Sequence, residues 1–262
     1  MTAADLDMDD IYRLNGKTAI VTGATGGIGL TTTLAMAQSG ANIVSIQIAN
    51  DPQSSVLQEG VRKFGRTIQV FECNLLDQNS IIDTFQEIWA AGVVPDILYH
   101  AAGITHHAKI EETTLDALNR VLDLNVRAAY IVSQEFGKQM LKLGRPGKII
   151  HIASMAAELI QTNISVYASS KAFVRALTRA LSNEWASKGI TCNCIAPGWI
   201  NTPMCKPLYD DAEFSRGVVD RTSIRRWGEP EDLKGLVVFL ASRASDFITG
   251  ENIVIDGGVI GR

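Results

Sequence analysis

What most constrains this chain is an alternation. Seven short apolar runs are separated by stretches with helical spacing. The runs are KTAIVTG (Lys17 to Gly23), ANIVSIQI, TIQVFECNL, DILYHAAG, KIIHIAS, ITCNCIAPG and NIVIDGG (ending at Gly258). Between them lie GIGLTTTLAMAQSG, VLQEGVRKFG, SIIDTFQEIWAAG, a long segment from about Thr114 to Lys142, SVYASSKAFVRALTRALSNEWASKG and EPEDLKGLVVFLAS. Near-continuous apolar strands are what a parallel sheet covered by helices on both faces requires. The pattern predicts one α/β domain of the Rossmann type, a doubly wound seven-stranded parallel sheet with right-handed crossovers. There is no Pro/Gly/Ser linker, repeat or low-complexity segment. We divide the chain into an N-terminal extension, 1–15, and a single domain, 16–262. Residues 203–227 interrupt the alternation as a polar insertion, the place for a substrate lid.

The first run passes straight into TGATGGIG, Thr22 to Gly29, and then into a helix. There each glycine has a physical task. Gly23 allows the tight turn, Gly27 lets backbone approach a pyrophosphate, and Gly29 permits close helix–strand packing. The helix N-terminus offers unpaired N–H groups to phosphate.

Composition narrows the partners. Of 262 residues, 46% are hydrophobic and 20% charged, and the net charge is −4 with no basic block, which disfavours nucleic acid and anionic membrane. The four cysteines show no CxxC pair, so we read buried free thiols in a reducing compartment and no metal site. The acidic start MTAADLDMDDIYRLNGK does not resemble a signal peptide, and no run approaches membrane-spanning length. The expectation is a soluble cytoplasmic protein.

The spacing of Gly23, Gly27 and Gly29 resembles that of the short-chain dehydrogenase/reductase family, and so do further motifs along nearly the whole chain. HAAG (His100 to Gly103) looks like the family's NNAG. LNV (Leu124 to Val126) matches its helix-borne asparagine. IAS ends at Ser154, YASSK (Tyr167 to Lys171) matches Y-x-x-x-K, and PGWINT (Pro197 to Thr202) matches PGxxxT. Within the family, NIVSIQIANDP, KIIHIASM, ALSNEWASKGI and the segment RRWGEPEDLKGLVVFLASRASDFITG are most similar to 2-deoxy-D-gluconate 3-dehydrogenases, as is the closing VIDGG. These passages support a subgroup more than a substrate.

The resemblance implies hydride transfer between a nicotinamide cofactor and a secondary alcohol or ketone. A ketone that takes hydride at carbon must take a proton at oxygen. Tyrosine, with a pKa near ~10, is a poor base at neutral pH, and a nearby ammonium favours its phenolate. Tyr167 and Lys171, four residues apart, share one helix face. On their own such a pair is more often structural, just as Ser154 alone reads as a cap and Asn125 alone as a satisfied core amide. The resemblance makes Tyr167 the general acid/base and gives Lys171 the nicotinamide ribose. It also makes Ser154 the anchor of the substrate oxygen and Asn125 the holder of a relay water. His106 and His107 are expected in the substrate pocket or at the surface, without a direct catalytic role.

On the cofactor side the expected contacts are Gly23, Thr25, Gly27, Ile28, Gly29, Gln47, Asn74, Leu75, Ala101, Ala102, Gly103, Tyr167, Lys171, Pro197, Gly198, Ile200 and Thr202. Gln47 stands where an acidic residue would accept from the adenosine ribose and repel a 2′-phosphate. No cation stands beside Gln47 or in the glycine turn to attract that phosphate. The reading favours NAD(H) and leaves NADP(H) open. Asn74 replaces the usual aspartate and His100 the first asparagine of NNAG.

Trp199, Met155, Met204 and Leu208 are candidates for an apolar substrate wall. Arg225 and Arg226 either attract a carboxylate or form structural ion pairs. The leading expectation is a sugar-acid dehydrogenase such as one acting on 2-deoxy-D-gluconate. A biosynthetic reductase of oxoacyl or polyketide-like ketones is the alternative, and a non-catalytic cofactor-binding regulator is a third reading, from another class. The resemblance also implies a homotetramer.

Overall fold

The computed structural model describes residues 8–261. The first seven residues of the N-terminal extension and Arg262 lie outside them. Seven strands form one sheet in the order β3-β2-β1-β4-β5-β6-β7, and every pairing is parallel. They are β1 (Thr18–Thr22), β2 (Asn42–Gln47), β3 (Ile68–Glu72), β4 (Ile97–His100), β5 (Gly147–Ile152), β6 (Ile190–Pro197) and β7 (Asn252–Ile255). The order reverses between β1 and β4, so the crossovers diverge there and open a crevice at the carboxyl edge.

The helices are α1 (Met8–Ile11), α2 (Gly27–Gln38), α3 (Ser54–Lys63), α4 (Gln78–Ala90), α5 (Leu115–Leu122), α6 (Ala129–Leu143), α7 (Ser165–Trp185), α8 (Lys206–Asp210), α9 (Ala212–Arg221) and α10 (Lys234–Ala241). Two apolar cores follow from the strand pleat. Ile20, Leu98, Ile149 and Cys192 face α4, α6 and α7. Ala19, Val21, Tyr99 and Ile195 face α2, α3 and α10. Leu14 is fully buried and its N–H reaches the Ser39 carbonyl, so the end of the extension is anchored to the body.

Two segments depart from the expectation. The long helix is not α throughout: Asp123–Ala128 is a π-helical turn between α5 and α6, and it carries Asn125. The insertion is not a plain loop. It holds α8 and α9, tied down by an aromatic cluster in which Trp227 packs on Trp199 and Tyr209 at centroid distances of 5.6 and 5.2 Å. The Trp227 indole N–H donates to Ser215 Oγ at 2.9 Å.

Candidate active site

The carboxyl edge holds a cleft of about 890 Å³, and every cofactor-side residue named from the sequence lines it. Gly23 closes β1 with φ +70°, and a Cβ there would meet the Ala102 backbone at 2.6 Å. A Cβ on Gly29 would stand 1.9 Å from the Gly23 carbonyl oxygen. The turn therefore tolerates only glycine at these points. No side chain caps α2 at Gly26, so its first N–H groups stay available along the cleft floor. Open backbone, a free helix N-terminus and a long cleft fit a dinucleotide.

Ser154 follows β5 and its Oγ accepts from the Ala156 N–H at 3.1 Å. Its hydroxyl lies on the same cleft wall as Tyr167 and lowers the pKa of the phenol. Lys171 is buried and donates from Nζ to the Ile152 carbonyl at 2.8 Å, which aims the ammonium back at the end of β5. Its Nζ lies 5.8 Å from the centre of the Tyr167 ring.

Electrostatically the pair differs from the expectation. Desolvation pushes the Tyr167 phenol up to about 12, against the lowering by Ser154, and Cys205 nearby raises it further. Desolvation likewise holds Lys171 down to about 8. Burial is the largest cause of both shifts, and it favours the protonated phenol of Tyr167.

Asn125 lies behind the cleft wall. Its Oδ1 accepts from the Ile104 N–H at 2.9 Å, and Nδ2 donates to the Ile104 carbonyl at 2.9 Å and to Ser170 Oγ at 3.0 Å. Both amide hydrogens are thus taken, while Oδ1 keeps one lone pair. A Cβ on Gly103 would stand 3.3 Å from both Asn125 Oδ1 and Lys171 Nζ, so the two polar atoms flank one small space over that glycine.

Beyond Tyr167 a smaller pocket opens toward the lid. Met155, Leu159, Ile164, Trp199, Met204 and Leu208 make its apolar side, with Thr105, His107 and Gln161 as the polar side. The four residues named from the sequence for an apolar wall do share one wall. His107 faces this pocket, and partial burial beside His106 lowers its pKa. Arg225 and Arg226 do not reach it. Arg225 pairs with Asp220 at 3.3 Å, and Arg226 grips Asp232 with two nitrogens at 2.7 and 2.8 Å. Both are structural ion pairs.

Asn74 lines the cleft, but its side-chain oxygen accepts from the Leu76 N–H at 3.1 Å. His100 is buried, with Nδ1 2.8 Å from Thr22 Oγ1 and with no partner for Nε2 among the described residues. Sequence reasoning missed Ser170, which orients Asn125, the Ile152 carbonyl that holds Lys171, and Asp51 and Cys205 on the cleft wall. None is a residue whose role a motif specifies, and Ser170 is one of the open positions of Y-x-x-x-K. Among the described residues no group of acidic, histidine and cysteine side chains is arranged to hold a metal, and no helix is long and apolar enough to cross a membrane.

Known proteins resemble this chain in sequence and in fold. A family model described as enoyl-(acyl carrier protein) reductase matches residues 23–260. The 2-dehydro-3-deoxy-D-gluconate 5-dehydrogenase of Bacillus subtilis (strain 168) is 37% identical over 255 residues, 97% of this chain and 99% of that protein. The gluconate 5-dehydrogenase of Gluconobacter oxydans (strain 621H) is 35% identical over 250 residues, 95% of this chain and 97% of that one. The crystal structure of a gluconate 5-dehydrogenase from Burkholderia cenocepacia J2315, in complex with NADP and tartrate, superposes with a TM-score of 0.93 at 34% identity. It covers 98% of this chain and 100% of that chain.

Proposed function

This chain belongs to the short-chain dehydrogenase/reductase family of NAD(P)-dependent oxidoreductases acting on CH–OH groups, and we propose that it interconverts a sugar acid and its keto acid with Tyr167 as general acid/base. The observation that carries the proposal is the meeting of Ser154, Tyr167 and Lys171 at the end of β5, on the wall of a cleft that fits a dinucleotide.

The nicotinamide, when bound, supplies or accepts the hydride. The remaining work falls to the chain's own residues. Ser154 holds the substrate oxygen beside the Tyr167 hydroxyl, and Tyr167 gives that oxygen a proton in reduction or takes one in oxidation. Lys171, fixed by the Ile152 carbonyl, binds the nicotinamide ribose and keeps positive charge beside the phenol. Asn125 Oδ1 and Lys171 Nζ hold a relay water over Gly103. Ile200 and Thr202 orient the carboxamide, and α8 and α9 cover the substrate.

We favour NAD(H). Gln47 is buried and its amide is bonded inward, accepting from Ser45 Oγ at 3.2 Å and donating to Ser54 Oγ at 2.7 Å. The cations on the cleft wall are Arg120 and Lys171, and neither belongs to the glycine turn or to the loop after β2. The protein is proposed to be a cytoplasmic homotetramer.

The apolar pocket side favours one second reading, a ketone with an apolar arm such as an oxoacyl or polyketide-like compound. A panel of sugar acids, keto sugar acids and β-keto esters, run in both directions with NAD(H) and NADP(H), separates the two. Turnover of sugar acids at least about tenfold more efficient than of β-keto esters supports the proposal, and the reverse ranking replaces it.

A further inference from the structure

The strand-end acid that would discriminate between the two nicotinamide cofactors is missing at Gln47, and the side chain found there is bonded inward to Ser45 and Ser54. A carboxylate nevertheless reaches this end of the cleft. The loop after β2 turns back at Asn50, which takes φ +54°. The turn brings Asp51 onto the cleft wall with Thr25, Gln47 and Ile48. Its Oδ2 accepts from the Thr25 hydroxyl at 2.7 Å, and its Oδ1 from the Gln53 N–H at 2.9 Å. Thr25 belongs to the glycine turn, so a loop residue four positions past the strand end is latched directly to the phosphate-binding element.

We infer that Asp51, rather than Gln47, selects NAD(H) over NADP(H). The carboxylate stands between the end of β2 and the glycine turn, where the adenosine ribose of a dinucleotide bound in this cleft has to lie. Toward a ribose it is an acceptor-only group with a lone pair left on each oxygen, suited to the 2′- and 3′-hydroxyls. Toward a 2′-phosphate it is a like charge, held in place by two hydrogen bonds and unable to swing away freely. With no lysine or arginine in the loop or the turn, nothing there offsets the repulsion. Ile48, 58% exposed beside it, offers the phosphate no donor from its side chain.

The inference rests on the preference for NAD(H) proposed above, and one set of titrations separates the two. NAD⁺ and NADP⁺ binding to the full chain is measured by tryptophan fluorescence, without substrate, for the wild type and Asp51→Asn. Asparagine keeps an oxygen for the Gln53 N–H, and its Nδ2 can donate to the Thr25 hydroxyl oxygen in place of the bond Thr25 gave, so the loop is retained while the charge goes. Asp51→Ser serves as a second uncharged variant should the first fail to fold. The expected result is a wild type that binds NAD⁺ at least tenfold more tightly than NADP⁺. In the variant, NADP⁺ should tighten at least tenfold, while NAD⁺ weakens through the loss of a ribose acceptor. A wild type that prefers NAD⁺ together with a variant whose NADP⁺ affinity stays within threefold overturns the role of Asp51 alone. A wild type that prefers NADP⁺ overturns the cofactor reading and this inference with it.

Discussion

At the scale of single residues, the proposed reacting set was legible because its members sit in ordered motifs. Tyr167 and Lys171 come from one helix face and Ser154 from a strand end, and they meet as expected. The direction of the electrostatics was not legible. A spacing of four residues shows that a lysine and a tyrosine are neighbours, but desolvation depends on everything packed around them. Here it dominates both groups. Ser170 escaped notice for a similar reason, since its role exists only through Asn125 on a distant segment. Ser170→Ala leaves one Asn125 donor without its partner, so we expect kcat to fall about tenfold, near 1.4 kcal/mol in barrier, with the dinucleotide Kd unchanged. A purely structural serine would instead lower Tm and leave kcat alone. Gly29→Ala drives a Cβ into the Gly23 carbonyl. We expect dinucleotide affinity to drop by more than tenfold in a binding titration.

At the scale of elements, each strand start was legible to within a residue, while the runs quoted for β3, β4 and β7 pass the strand ends by three residues, because buried parallel strands are continuous apolar runs and the turns that follow them extend the pattern. The lid helices were not. α8 is five residues long, too short to show a period, and α9 is polar on most of its surface. The π-helical turn is invisible in a periodicity that reads as α on either side. Asn125 bonds the Ile104 backbone in both directions from within it, a setting in which such turns recur at functional sites. Helix packing gives a sharp test. Gly137 on α6 lies against the Trp185 ring of α7, and a Cβ would stand 2.2 Å from it. Gly137→Ala should cost about 1–3 kcal/mol of unfolding free energy in a denaturant titration. In the lid, Trp227→Phe removes the donor to Ser215. If α8 and α9 cover the substrate, its KM should rise several-fold while the dinucleotide Kd holds.

At the scale of the whole molecule, stability should depend on acid through two buried histidines. His151 lies between Ser133 Oγ at 2.8 Å and Thr178 Oγ1 at 2.9 Å, and burial first, then Lys171, lowers its pKa to about 3. His100 is pushed well below its ordinary value by burial, by His151 and by Lys171. In the unfolded chain both take protons near 6.5, so between about 3 and 6.5 the unfolded state binds more protons. Stability from these groups is intact above about 6.5 and is lost as pH falls, at up to about 1.4 kcal/mol per pH unit for each. His151→Gln should flatten that slope by about one proton between pH 6 and 4, whatever it does to stability at pH 7. An unchanged slope would show that His151 is protonated in the folded protein.

In the proposed function all three scales converge on one hydroxyl: the sheet order places the cleft, the cleft would hold the dinucleotide, and Ser154 would set a substrate oxygen against Tyr167. The most direct measurement is turnover of a sugar acid with NAD⁺ by wild type and Tyr167→Phe, with NAD⁺ affinity measured on the same samples. We expect turnover to fall by at least about a thousandfold while the Kd stays within about threefold. Turnover retained within tenfold in a folded, NAD⁺-binding Tyr167→Phe protein would contradict the assignment of Tyr167 as the proton donor and acceptor.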